Sequence, residues 1–137
     1  LHETYSGGIG SFVLAAMVIS FIQQRHRVHA TISRQSWNLG SLFVDFLDLY
    51  GCTLNYNKTV LSLRDGGCYL NKPGPGHNQP TSAVLSIESP MNPAGPYIGE
   101  NSFLLPKVRR AFEQSLQVLT VRLTANDEDV SLLSSIL

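Results

Sequence analysis

Gly7-Gly8-Ile9-Gly10-Ser11-Phe12 is the stretch of this chain whose residue types could do chemistry most directly. A glycine-rich turn that delivers a serine to a helix start offers backbone N–H groups and a hydroxyl to an anion. Phe12 offers a π-face to a nucleobase. The same residues also describe a tight helix entry with Phe12 in the core. The Lys-Ser/Thr ending of a phosphate-binding P-loop is missing. A second stretch, Arg25-His26-Arg27-Val28-His29 continuing to Arg34, lies in a region without acidic residues between Glu3 and Asp45. Cations without competing acids attract nucleic-acid backbone, so Arg25, Arg27 and Arg34 are candidate phosphate contacts. The plainer expectation for this connector is a solvated loop.

Other chemistry is poorly supported. The four histidines, at positions 2, 26, 29 and 77, have no partner at metal-ligand spacing, and Cys52 and Cys68 form no Cys-x-x-Cys, so no metal site is assigned to this chain. The two lone thiols read as reduced and intracellular. Asp45 and Asp48 are three apart on a predicted helix, where a solvated face explains them. They lack the strand-borne Asp-x-Asp arrangement of two-metal chemistry. No Ser-His-Asp or Cys-His set can be argued from the residues alone.

The elements that must position these residues can be read from periodicity. The run Phe12 to Ile22, broken only by Ser20, predicts a helix from about Ser11 to Gln24. It is apolar nearly all round, which predicts the centre of a core. It falls well short of the roughly 20 residues needed to span a bilayer. Asn38 should cap a second helix carrying Leu39, Leu42, Phe43, Phe46 and Leu49 or Tyr50, with Gly51 as its stop. Leu54 and Tyr56, then Val60, Leu61 and Leu63, are strand-like, and Asp65-Gly66 is a hairpin signal leading into Cys68-Tyr69-Leu70. Lys72 to Thr81 is loop, Val84, Leu85 and Ile87 suggest a short strand, and Ser89 to Pro96 carries three prolines. Ser102 should cap a last long helix with Pro106 in its first turn and Val108, Ala111, Phe112, Ser115 and Leu119 on one face. Asn126-Asp127-Glu128-Asp129 is acidic and could cap a short helix over Val130 to Leu137.

The fold class expected is mainly α with a small β-hairpin element. With 137 residues the chain suits one domain, and 10 basic against 10 acidic residues exclude both a strongly basic nucleic-acid module and an acidic disordered chain. Charged residues are 15% of the chain, against about 25% in an ordinary soluble domain. With a mean hydropathy of +0.03, that suggests a surface normally covered in part. The start at Leu1-His2-Glu3-Thr4, with neither Met nor a targeting pattern, leads to the expectation of a piece cut from a longer protein.

The order of the pieces adds a resemblance. Glu3, Ser6-Gly7-Gly8-Ile9-Gly10-Ser11-Phe12 and the apolar helix after them resemble a landmark of the non-canonical poly(A) polymerases, the Trf4-like or DNA polymerase sigma group of nucleotidyltransferases. Asn38-Leu39-Gly40 with Phe46 and Leu49-Tyr50-Gly51 is similar to the family's next helix. Asn55-Tyr56 and Asp65-Gly66-Gly67-Cys68-Tyr69 are similar to its hairpin. Ile87-Glu88-Ser89-Pro90-Met91-Asn92-Pro93, then Ile98-Gly99, Val108 and Ala111-Phe112, resemble its PAP-associated motif and closing helix.

The resemblance implies the helical central and PAP-associated domain of a template-independent RNA 3′-end nucleotidyltransferase, truncated on its N-terminal side. That domain would span residues 1–122, with 123–137 an acidic tail or short helix. The nucleotide would lie between this domain and a separate catalytic domain of the same protein. The latter would carry the catalytic carboxylates and bind Mg²⁺ or Mn²⁺, leaving this chain inactive alone and without a cofactor. In-line attack of a 3′-hydroxyl on the α-phosphate would follow two-metal chemistry.

By the same resemblance, Gly8 and Ser11 would contact the nucleotide, Phe12 would stack on the base, and Glu88 and Pro90 would open the recognition loop. Gly95, Pro96, Tyr97 and Glu100 would form its base-selecting part. The family's usual Asp after that Glu is Ser89 here, and its usual Arg after Gly is Glu100. ATP is the favoured nucleotide and an RNA 3′ end the acceptor. A zinc-knuckle RNA-binding protein is an implied partner, a membrane is not, and the implied compartment is intracellular and nuclear. The alternatives are a terminal uridylyltransferase, or a non-catalytic RNA- or protein-binding scaffold that has lost nucleotide recognition.

Overall fold

The computed structural model describes residues 9–29, 38–73, 85–102 and 104–125. Among the described residues, three α-helices and a small three-stranded sheet make a mainly α arrangement with a minor β element. The chain divides into two compact units, the first drawn from Leu1–Gln35 and Asn55–Leu105, the second from Ser36–Leu54 and Pro106–Leu137.

In the first unit, α1 (Ser11–His29) buries Val13, Ala16, Met17, Ser20 and Phe21. These positions follow the i, i+3, i+4, i+7, i+8 stripe of a helix with one core face. The expectation of a helix buried all round is therefore corrected. Phe12, Leu14, Val18 and Ile19 are exposed on the remaining faces, because apolar residue type does not by itself dictate burial. The predicted stop near Gln24 is corrected too. Gln23 through His29 contains neither Gly nor Pro, and Gln and Arg are good helix formers, so the helix runs on. Tertiary contact also holds it: Gln23 Nε2 donates to the Leu63 carbonyl at 3.1 Å.

The hairpin forms where Asp65-Gly66 predicts it. Strands β1 (Thr59–Ser62) and β2 (Cys68–Asn71) pair antiparallel, with Val60 opposite Leu70 and Leu61 opposite Tyr69. Between them, Asp65, Gly66 and Gly67 all adopt positive φ, a run that glycine makes accessible. Gly67 is doubly required, since a Cβ there would come within 2.6 Å of Gln23 Oε1. Strand β3 (Ile87–Glu88) pairs parallel to β1, giving the order β2-β1-β3. As the middle strand, β1 buries Val60, Leu61 and Ser62 in succession. Leu54 and Tyr56 are buried but not in a strand. The Asn55 side chain accepts from Asn57 N–H at 3.1 Å, and its carbonyl accepts from Thr59 N–H at 3.1 Å. This asparagine turn delays the strand to Thr59.

In the second unit, Asn38 caps α2 (Leu39–Asp48), its Oδ1 accepting from Gly40 N–H at 2.9 Å. Gly51 is not the helix stop. Instead the chain passes into a single π-helical turn, Leu49–Thr53, closed by Leu54 N–H donating to the Leu49 carbonyl at 2.8 Å. Gly51 allows a close approach to α3 (Leu105–Ala125), because a Cβ there would lie 3.0 Å from the Glu113 backbone nitrogen. Arg109 Nε donates to the Gly51 carbonyl at 3.1 Å, satisfying a group the widened turn leaves open. Gly51→Val is expected to cost about 1–3 kcal/mol through overpacking against backbone that cannot swing away; a urea melt checks it, and an unchanged midpoint would refute the close-approach reading.

Helix α3 starts at Leu105 rather than directly after Ser102. Leu105 N–H donates to the Ser102 carbonyl at 3.1 Å, so a short turn intervenes. Pro106 sits in the first turn as expected, and Val108 and Leu119 are buried. The helix runs through residue 122 to Ala125; the acidic stretch and Val130 to Leu137 lie outside the described residues, as do residues 74–81 of the predicted loop and Val84.

Candidate functional site

In the first unit, the chain leaving β3 doubles back on itself. Ile98 N–H donates to the Ile87 carbonyl at 2.8 Å, and Ile87 N–H returns a bond to Ile98 at 3.1 Å. Between them, Gly95 N–H closes a turn on the Asn92 carbonyl at 3.0 Å. Beyond them, Glu100 N–H donates to the Tyr97 carbonyl at 3.4 Å and Ser102 N–H to the Gly99 carbonyl at 3.0 Å. The loop is thus pinned at both ends by backbone bonds although it carries three prolines, none of which has an N–H to lose.

Glu88, where the loop begins, is held from below. Arg64 Nε donates to Glu88 Oε1 at 2.5 Å, and Ser62 Oγ donates to the same oxygen at 3.4 Å. The Glu88 side chain is only 12% exposed. This carboxylate ties the hairpin turn to β3, so its observed role is to fix where the loop starts.

The result is a cleft of about 390 Å³. Its aromatic and apolar walls are Tyr97, Pro96, Ile98 and, from α1, Val13. Uncharged polar side chains come from Ser89, Asn92, Asn101 and Ser102, and the single charged lining residue is Glu100. Of the expected site residues, the structure brings Pro96, Tyr97 and Glu100 into this cleft. Ser11 and Phe12 precede Val13 at the start of α1 and are exposed, Phe12 by 71%. The alternative of Phe12 as a core residue is thereby excluded. Glu88, Pro90 and Gly95 shape the loop without lining the cleft. Gly8 and Arg34 lie outside the described residues.

Arg25 and Arg27 belong to the last turns of α1, not to a connector. The Arg25 guanidinium stands 5.8 Å from the Phe21 ring centroid, while Arg27 is exposed. On β2, burial pushes the Tyr69 phenol up from its ordinary pKa range, and just beyond the strand it pushes the Lys72 ammonium down. Neither lines the cleft. Val13, Asn101 and Ser102 carry no signal of a site in their local sequence, whereas Asn92 falls in the stretch that resembles the PAP-associated motif. Their contribution depends on the Ile87–Ile98 bridge, which no local spacing announces.

Among the described residues, no three His, Cys, Asp or Glu side chains come together. Both cysteines are free thiols. No helix among the described residues is long and apolar enough to cross a membrane.

Comparison with known proteins agrees with this architecture. Residues 38–95 match the model of the Cid1 family poly A polymerases, the PAP-associated domain. Over those residues the chain is similar to the PAP-associated domain of that family. It is 34% identical over 131 residues to the poly(A) RNA polymerase CID14 of Cryptococcus neoformans, a match covering 96% of this chain and 17% of that protein. It is 38% identical over 116 residues to the inactive non-canonical poly(A) RNA polymerase protein Trf4-2 of Drosophila melanogaster, covering 81% of this chain and 28% of that one. The solved polymerase core of TRAMP, an RNA surveillance complex, superposes with a TM-score of 0.82 at 25% identity over 99% of this chain and 45% of that one. The chain thus spans less than a third of the length of these two curated relatives.

Proposed function

We propose that the parent protein adds nucleotides, adenylate first among them, to RNA 3′ ends. This chain would supply the wall that positions base and ribose, while the catalytic carboxylates and their Mg²⁺ or Mn²⁺ belong to polypeptide outside it. The observation that carries the reading is the cleft itself. It joins the start of α1, at Val13, to Pro96, Tyr97 and Glu100, residues far apart in the chain. The family resemblance links both stretches to nucleotide recognition independently of their proximity in space. The relatives named as poly(A) RNA polymerases support the reaction class.

The chemistry assigned to this chain is orientation. Holding a base and ribose in register leaves the α-phosphate aligned for attack, which lowers the entropic part of the barrier without any proton transfer from these residues. Phe12 would stack on the base and Ser11 would meet the nucleotide at the helix start. Arg27, exposed near the end of α1, would contact RNA phosphate, and Arg25, two residues earlier and on another face of the helix, would be a second contact.

A second reading, a scaffold that keeps the fold without catalysis, is favoured by one observation. The relative at 38% identity bears a name that calls it inactive. Primer extension separates the two: full-length protein, a short labelled RNA, Mg²⁺ or Mn²⁺, and each ribonucleotide alone. A ladder with ATP is the expected result. A ladder chiefly with UTP moves the assignment to a uridylyltransferase, and folded protein that extends with none establishes the scaffold.

A further inference from the structure

Both walls of the cleft are tied to one place outside it, the turn between β1 and β2. On the α1 side, Gln23 Nε2 donates to the Leu63 carbonyl at 3.1 Å. Gly67 lies so close to the same side chain that a Cβ there would meet Gln23 Oε1 at 2.6 Å. Val13, which α1 contributes to the cleft, stands earlier on that one rigid helix, roughly 15 Å from Gln23 at 1.5 Å per residue.

On the loop side, the turn holds Glu88, whose neighbour Ser89 is the first loop residue to line the cleft. Arg64 Nε donates to Glu88 Oε1 at 2.5 Å, and Ser62 Oγ donates to the same oxygen at 3.4 Å. Arg64 N–H donates in turn to Ser62 Oγ at 3.3 Å. A hydroxyl gives one hydrogen and can accept another, so the three groups close a ring in which each bond orients the next. Backbone pairing alone holds this end of the loop briefly, since β3 is only two residues long. A hydrogen bond between two ions is roughly twice as strong as a neutral one, and the Glu88 side chain is only 12% exposed. Neither Arg64 nor Glu88 lines the cleft.

We infer that Arg64 is a positioning residue for nucleotide binding: through Glu88 it fixes where the loop leaves β3, and so sets the spacing of the cleft's two walls. Glu88 serves by that link and not by touching the nucleotide. The inference rests on the nucleotide-recognition reading above and adds to it a brace outside the cleft. Its effect is blind to the base, because neither side chain meets one.

The test is equilibrium binding of each of the four ribonucleoside triphosphates to the full-length protein, below the melting temperature of every variant. The variants are Arg64→Ala, Arg64→Lys, Glu88→Ala and the double alanine. Arg64→Ala is expected to weaken every nucleotide that the wild type binds by about tenfold, the loss when only about a tenth of the molecules keep the loop in place. Arg64→Lys keeps an ammonium donor for Glu88 and should return to within about threefold of wild type. The double variant should bind no more weakly than Glu88→Ala alone, since residues acting through one shared bond do not add. A purely structural role would lower the melting temperature and leave the affinities of the folded protein unchanged. Wild-type affinity in Arg64→Ala, a loss for one bound nucleotide and not another, or losses that multiply in the double variant each overturn the inference while nucleotide recognition stands. Should Glu88→Ala fail to fold, the Arg64 variants decide by the first two of these outcomes. Wild type that binds no nucleotide overturns the inference and the recognition reading together.

Discussion

Tyr50→Ala is expected to remove about 3–5 kcal/mol of folding stability, the range for deleting a buried aromatic side chain. Tyr50 is 0% exposed. Its ring centroid lies 4.8 Å from that of Phe46, tilted by 58°, and Phe46 in turn meets Phe112 edge-on at 5.9 Å. Truncation would leave a cavity bounded by backbone that cannot collapse easily, because Gly51 next to it is already in close contact with α3. Native domains are stable by only about 5–15 kcal/mol, so such a loss takes much of the total. A urea titration followed by far-UV circular dichroism measures it. A cost below about 1 kcal/mol, the centre of the range for ordinary point substitutions, would show that the aromatic cluster is not what holds α2 to α3.

Phe12→Ala should behave in the opposite way. With 71% of its surface exposed, Phe12 contributes little to folding, and its removal should leave the melting temperature nearly unchanged. If a base stacks on it, as proposed, nucleotide binding by the full-length protein should weaken by about 5- to 150-fold, the equivalent of roughly 1–3 kcal/mol. Phe12→Tyr keeps the π-face and should bind like wild type. Unchanged affinity in the alanine variant would remove Phe12 from the site, and a large stability loss would mean that something in the protein covers it.

The contrast between these two aromatics shows how far the sequence can be read. Asn38 and the Asp65-Gly66 pair act through side-chain and backbone geometry within a few residues, so their roles are legible from type and spacing. The end of α1 is not. Gln23 through His29 stays helical partly because Gln23 meets Leu63 some 40 residues on, and no local window contains that bond. Gly51 looks like a helix stop because glycine serves both termini and close contacts, and only the position of Glu113 tells which. Similarly, a helix of apolar residues fits a core in every orientation, so its residue types do not disclose the exposed face of α1.

The candidate site is legible only in pieces. Resemblance links Phe12 and the stretch Gly95 to Glu100 to one function. That Pro96, Tyr97 and Glu100 share a cleft with Val13 depends on the parallel pairing of β1 with β3 and the return of Ile98 onto Ile87. Glu88, expected to open the recognition loop, turns out to be bound to Arg64 and Ser62. Its ion pair with a hairpin arginine depends on a partner 24 residues away.

The π-helical turn at Leu49–Thr53 also constrains how this chain can change in length. Such a turn is an α-helix with one residue inserted, and each residue of an α-helix advances the chain by about 100°. Because the wide turn takes up that extra residue within its own winding, deleting one residue there would restore ordinary pitch and leave the residues beyond on nearly the side they now face. Related sequences should therefore gain or lose one residue in this segment more readily than within α2.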